Sequence, residues 1–476
     1  MDTSRGKKSG SRSPSKAGPK EETRGPGMSR PLKITVLGAG SNFTARLLND
    51  IFRIPGDPGG VVALVDIDRR RLSAMRRVIE KLLAHLGKEN WKVVASTDRK
   101  KVLKGTHYLV NCIEVSGTAC VRFDNDIPAR YGVDQCIGDT IGPGGLFKAL
   151  RTIPVWLEIL RDAEKLCPDA LVLNYTNPMN MMCLAAARTS SMRVVGLCHS
   201  VQGTSRVLAR RAGIAYGDLA WECAGINHLA WFTRLEHNGK DLYPLLMKKA
   251  RQDLAGRPSD PDDAGDLVRK DMMLHFGAFI TESSGHLSEY VPYYRKRADL
   301  RESYCRARYD GESSFYADNW PKWREQADKD RRAMVEGETR IDWERSYEYA
   351  SWIIEACETD VPFRIHGNVM NQDSAGGPLI GNLPADGCVE VACMVDRNGI
   401  NPTRPGRLPP QMAALCDSNM RMFDLGAEAA IQRSKELATM ALYLDPLTAA
   451  VCSPAEIIKM TQELFEAEAE FLPGYR

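Results

Sequence analysis

Four short stretches of the chain end in side chains that can do chemistry. VGLCHS carries Cys198 and His199, a thiol and an imidazole, both ligands of soft or borderline metals. Neighbours on a strand point to opposite faces, so adjacent residues rarely serve one ion. Cys198 is therefore open to four readings: metal ligand, nucleophile, half of a disulfide, or buried packing. AGINH ends in Asn227 and His228, LVLNYTNP in Asn174, Thr176 and Asn177, and VNCIEVSG in Glu114 and Ser116. Between them lies IGDTIGPGGLFKALRTIP, a glycine-rich loop with Asp139, whose backbone can approach a ligand closely. Singly, each stretch has a plain structural reading: a hydrogen-bonded histidine, a packed cysteine, an Asn-Pro turn.

The elements that must position these residues alternate. LKITVLGAGSNFTARLLNDIFRI predicts a strand, a glycine turn and a helix, and VVALVDID a second strand. RRRLSAMRRVIEKLLAHLG has helical spacing; KVVAST, THYLVNCIE, ALVLNYTNP and RVVGLCH read as further strands. That alternation implies an α/β fold, a Rossmann-like doubly wound parallel sheet over residues 31–200. Residues 201–476 mix helices with strands such as GCVEVACMVDRNGI, so a mixed α+β C-terminal domain is expected there. Residues 1–30, rich in Ser, Gly, Pro and Lys, read as a disordered basic tail.

In a doubly wound sheet, ligands bind beyond the carboxyl ends of the strands. GAGS supplies Gly38 for a tight turn, Gly40 for close approach of a pyrophosphate, and Ser41; Phe43 stands where a third glycine is usual. Asp66 ends the second strand 28 positions after Gly38, placed for an adenosine ribose, which favours NAD over NADP. Glu114 ends another strand on the same edge. Polar groups converging beside a nucleotide signature imply an NAD enzyme acting on a hydroxyl-rich substrate, with a candidate metal held by Cys and His.

Composition narrows the class. The chain has 476 residues, 43% hydrophobic and 26% charged, as in globular proteins. Net charge is +3, but residues 1–30 hold eight Lys/Arg against three Asp/Glu, so the body is slightly acidic and offers no nucleic-acid surface. No apolar run suggests a membrane partner. The thirteen cysteines are scattered without a CxxC pair, and no export signal is evident, so a reduced cytoplasm is the expected compartment.

The motifs ITVLGAGS, IGDTIGPGGLFKALRTIP, LNYTNPM, VGLCHSVQGT, CAGINHLAW, FITESSGHLSEY, GNLPADGCVEVACMVDRNGI and DPLTAAV occur in this order. In them the chain, from about Leu32 to its C-terminus, resembles glycoside hydrolase family 4, the NAD- and Mn-dependent glycosidases, and most of all their α-galactosidases. The resemblance implies a lactate/malate-dehydrogenase-like two-domain architecture and a redox-assisted elimination. Hydride leaves carbon 3 of the sugar for NAD⁺, which acidifies the proton on carbon 2. A base removes that proton, the aglycone leaves carbon 1, water adds, and the hydride returns. It further implies Cys198 and His228 as metal ligands, Asn177 with Asn174 on the substrate, and Asp139 as acid to the leaving group. Glu282 is the implied carbon 2 base, with His286 and Tyr290 in reserve. His199 stands where phospho-sugar members carry an Asp, a mark of the galactosidase group. The family also implies a homodimer or homotetramer. Alternatives in the family are α-galacturonidase, α-glucuronidase and α-glucosidase, with Arg122 and Arg151 as candidates for a sugar carboxylate. Outside it stand a plain NAD-dependent dehydrogenase and a sensor without catalysis.

Overall fold

The computed structural model describes residues 28–258, 264–339 and 341–476. Most of the expected basic tail, up to residue 27, lies outside these. Six short apolar runs form β1 (Leu32–Leu37), β2 (Gly60–Val65), β3 (Trp91–Ser96), β4 (Tyr108–Asn111), β5 (Leu171–Asn174) and β6 (Arg193–Gly196). They are parallel, in the order 3-2-1-4-5-6. Strands covered by helices on both faces read as continuous rather than alternating apolar runs, and β4 and β5 are buried at every residue. This is the doubly wound α/β sheet expected from the alternation.

The sheet does not end at β6. The later strands are β7 (Leu219–Ile226), β8 (Leu229–His237), β9 (Lys240–Asp241), β10 (Phe279–Ile280), β11 (Phe363–Met370), β12 (Cys388–Asp396) and β13 (Gly399–Pro402). Gly196 of β6 pairs antiparallel with Asn368 of β11, β11 with β12, and Glu390 of β12 with Gly225 of β7. β8 and β10 complete that side. Beyond β6 the pairing thus changes from parallel to antiparallel within one continuous sheet.

Helices from the second half fold back on the first. The 23-residue helix Pro410–Gln432 packs on the helices Gly142–Leu166 and Met179–Thr189, and the helix Phe315–Glu336 lies on Arg69–His85. Fully buried Trp156, Trp231, Phe52 and Phe147 anchor the layers, each large ring contributing about 2–3 kcal/mol of transfer free energy. All thirteen cysteines are free. Among the described residues, no helix is long and apolar enough to cross a membrane.

Candidate active site

The turn after β1 opens the site. Gly38 has φ +72°, and a Cβ there would lie 2.3 Å from the Cys112 carbonyl oxygen, so only glycine fits. The Gly40 N–H donates to Asp66 Oδ2 at 2.7 Å, and a Cβ on Gly40 would sit 2.8 Å from that same oxygen. The expected glycine turn and its acidic residue are therefore one unit. Phe43 opens the following helix, Phe43–Phe52, and packs edge-on against Tyr175 with ring centroids 5.0 Å apart.

A cleft of about 1330 Å³ runs from this turn along the carboxyl ends of β1, β4, β5 and β6. It is lined by Gly38, Gly40, Ser41, Asp66 and Glu114 at one end, and by Asn177, Cys198 and His228 at the other. Asp139, His199 and Glu282 also line it. Asn174 does not. Its fully buried amide donates to the Thr176 carbonyl at 3.0 Å and accepts from Asn111 at 2.8 Å. Asn174, expected on the substrate, braces the loop that carries Asn177.

Cys198 follows β6, His228 sits in the turn between β7 and β8, and Glu282 follows β10. Cys198 Sγ lies 3.5 Å from His228 Nε2, which lies 3.6 Å from Glu282 Oε2. The three ligand atoms fall within 4.8 Å of one another. His228 and Glu282 have φ of +65° and +66°, and Ser116 in the same cleft +69°. Side chains at such angles cost on the order of 1 kcal/mol each and cluster at functional sites. A thiol, an imidazole and a carboxylate around one point suit a borderline divalent cation. The sequence placed Glu282 near the chemistry, but only the sheet brings it beside Cys198.

The polar strip continues. His286 Nδ1 is 3.6 Å from Glu282 Oε1, and His286 Nε2 is 4.0 Å from Asp139 Oδ1. Lys148 Nζ lies 3.4 Å from Asp139 and 3.3 Å from Glu114. Burial opposes ionisation of Asp139, but Lys148 and His286 outweigh it and hold the carboxyl at about 2. Glu282 is likewise opposed by burial and held at about 2 by His286 and His228. Burial lowers His228 to about 4, leaving the imidazole neutral near pH 7, the form a metal takes. Burial, with Glu282 and Glu390 behind it, pushes the Cys198 thiol up, so a cation held there would have to displace its proton. His199 stays apart: mostly exposed at the cleft, its Nδ1 is 3.8 Å from Glu348. Tyr290 is fully buried, its hydroxyl unpartnered, and stands off the cleft.

Sequence reasoning missed Lys148. Its signal was a lysine inside an otherwise apolar helical run, Leu146 to Leu150, nine residues after Asp139. It also missed Tyr316, Trp320 and Arg324, which line the cleft at four-residue spacing from the helix Phe315–Glu336. The two arginines considered for a sugar carboxylate are committed elsewhere. Arg151 is bonded to Asp124 at 2.7 Å and to Glu468 at 2.6 Å, all three nearly buried. Arg122 pairs with Asp318 at 2.5 Å on the exposed surface.

Residues 33–214 match the family model described as Family 4 glycosyl hydrolase, and residues 223–448 its Family 4 glycosyl hydrolase C-terminal domain. An α-galactosidase of Bacillus subtilis (strain 168) is 38% identical over 452 residues, spanning 93% of this chain and 100% of its own. One from Rhizobium meliloti (strain 1021) is 35% identical over 469 residues, spanning 93% and 89%. Among solved structures, a 6-phospho-α-glucosidase from gut microorganisms in complex with NAD and Mn²⁺ superposes with a TM-score of 0.78 at 22% identity. It covers 94% of this chain and 100% of its own, a likeness of fold. On these matches and this cleft, the chain belongs to glycosyl hydrolase family 4.

Proposed function

We propose that the chain hydrolyses α-galactosides by redox-assisted elimination, with NAD and a divalent ion, Mn²⁺ foremost, as its cofactors. The observation that carries this reading is the Cys198, His228, Glu282 triangle in the same cleft as the Gly38–Gly40–Asp66 turn. The sugar follows from the 38% and 35% identical α-galactosidases and from the cations of the cleft. Among the described residues lining it, Arg71 pairs with Asp328, Arg99 with Asp162, and Lys148 with Asp139 and Glu114. Arg324 lies over Gly117, at the dinucleotide end. A uronide carboxylate or sugar phosphate would find no free cation beside Cys198, which favours a neutral sugar.

When bound, NAD⁺ supplies reversible removal of hydride from carbon 3, and the divalent ion supplies Lewis acidity beside the vicinal hydroxyls. Cys198, His228 and Glu282 would hold the ion, and Asn177 would orient the sugar. A carboxylate held near 2 is a weak base, so Glu282 serves better as a ligand. His286, set between Glu282 and Asp139 with Ser283 Oγ 3.1 Å from its Nδ1, takes the carbon 2 proton. Asp139, ionised at rest, holds the Lys148 ammonium at 3.4 Å, so the acid expected at Asp139 acts as a pair: Lys148 gives its proton to the leaving oxygen and Asp139 positions it. Glu114 fixes Lys148 from the cofactor side, and His199 meets the substrate at the mouth. Residues 31–200 make the dinucleotide part, and 201–476 bring His228 and Glu282. We place the protein in a reduced cytoplasm, where its thiols stay free, as a homodimer or homotetramer.

The test is a panel of nitrophenyl α-glycosides and uronides with NAD⁺, Mn²⁺ and a reductant. The expected result is turnover of the α-galactoside, abolished by chelation and slowed by deuterium at carbon 2. Turnover that survives both chelation and removal of NAD⁺ sinks the proposal.

A further inference from the structure

The helix Phe315–Glu336 comes from the second half of the chain, yet one face of it follows the dinucleotide end of the cleft. Tyr316, Trp320 and Arg324 line the cleft at successive turns. Four residues on, Asp328 accepts from Arg71 at 2.8 Å, and Arg331 then donates to the Gly40 carbonyl at 2.6 Å. The helix is therefore tied to the glycine turn itself and to the start of the helix Arg69–His85.

Two donors on this face lack acceptors. The Trp320 indole N–H is buried with no hydrogen-bond partner. Arg324 makes no ion pair among the described residues. Its guanidinium reaches over the loop after β4, where a Cβ on Gly117 would lie 3.9 Å from Nη2. Burial and nearby Arg71 make this a costly place for a cation, while Glu114, Asp328 and Asp66 act only from a distance. Across the cleft, the helix Phe43–Phe52 carries no acidic residue in its first turn, its first amide donating only to the neutral Ser41 Oγ at 3.3 Å, so its amide end also favours negative charge. Donors without acceptors on one wall and a helix N-terminus on the other suit an anion rich in acceptor oxygens.

We propose that Phe315–Glu336 is the second wall of the dinucleotide site and that Arg324 binds the diphosphate of NAD. The inference rests on the cofactor reading above. It divides the site between both halves of the chain: the glycine turn meets one side of the diphosphate, Arg324 the other. It also accounts for the tether through Asp328 and Arg331, which fixes the height of Arg324 over the turn.

The test is calorimetric titration of the full chain with NAD⁺, ADP-ribose and adenosine, without glycoside. Arg324→Met and Arg324→Gln should each weaken NAD⁺ and ADP-ribose by about 10- to 100-fold. Adenosine, which lacks the diphosphate, should bind within about twofold of wild type, and Arg324→Lys should recover part of the loss. ADP-ribose affinity unchanged in both neutral variants overturns the assignment. So does an equal loss for adenosine, because Arg324 would then act on the cleft and not on the diphosphate. A wild-type chain that binds none of the three ligands removes the cofactor reading itself; wild-type binding with indifferent Arg324 variants removes only this inference.

Discussion

At the residue scale, Glu282 and His286 are the two candidates for the base proposed to take the carbon 2 proton. Glu282 presents one oxygen to His228 and the other to His286, each at 3.6 Å. If it is a ligand, Glu282→Gln weakens Mn²⁺ binding by about 10- to 100-fold, read by calorimetry. His286→Gln should keep the metal but slow exchange of the carbon 2 proton with deuterium from solvent. The opposite pattern, a metal-competent Glu282→Gln that cannot exchange, makes Glu282 the base. Metal affinity should also climb with pH, because the Cys198 thiol must lose its proton while His228, at about 4, is already neutral near pH 7. The sequence pointed to Cys198, His228 and Asp139 through strand ends and a glycine loop. It could not point to Lys148, whose neighbours make it look like part of a core helix.

At the element scale, Asp328 fastens the helix Phe315–Glu336 to the nucleotide half through Arg71 and Arg331. The Arg71 guanidinium foremost holds its carboxyl at about 2, below the ordinary value of 3.8. A depressed acid contributes stability above its unfolded pKa and loses it as pH falls through the folded one. That contribution should therefore fade between about pH 4 and pH 2. Asp328→Ala should cost about 1 kcal/mol or less, since the pair is partly exposed, but should raise amide exchange across Phe315–Glu336. Unchanged exchange there would show that the helix is held by packing alone. Its place over the cleft was not legible in the sequence, because a polar, weakly patterned helix does not reveal which element it will cover.

At the scale of the whole molecule, buried carboxyls set the pH response. Asp445 caps the helix Pro446–Val451 by accepting from Thr448 N at 2.8 Å, and burial pushes it up to about 6. Its protonated form favours the fold, so this stabilisation is complete below an unfolded value near 4 and is lost as pH rises to about 6. Asp445→Asn keeps a capping oxygen without the charge. Its Tm should match wild type near pH 4 and exceed it above pH 6. A constant difference across that window would remove Asp445 from the pH response.

What the sequence determined alone was local. Apolar runs alternating with helical spacing gave a parallel doubly wound sheet, and GAGS with a distant acid gave the dinucleotide turn, because these depend on period and on short, fixed spacings. Strand ends also carried most of the site. The tertiary structure decided what depends on long-range pairing. The continuation of the sheet from Gly196 to Asn368 and from Glu390 to Gly225 brings β7 and β10 level with β6. Only that register sets Cys198, His228 and Glu282 around one point, because residues 84 positions apart in the chain meet through sheet order. The same packing turned Asn174 and Arg151 inward and brought Lys148 and Arg324 to the cleft, since burial and charge pairing are properties of the folded whole.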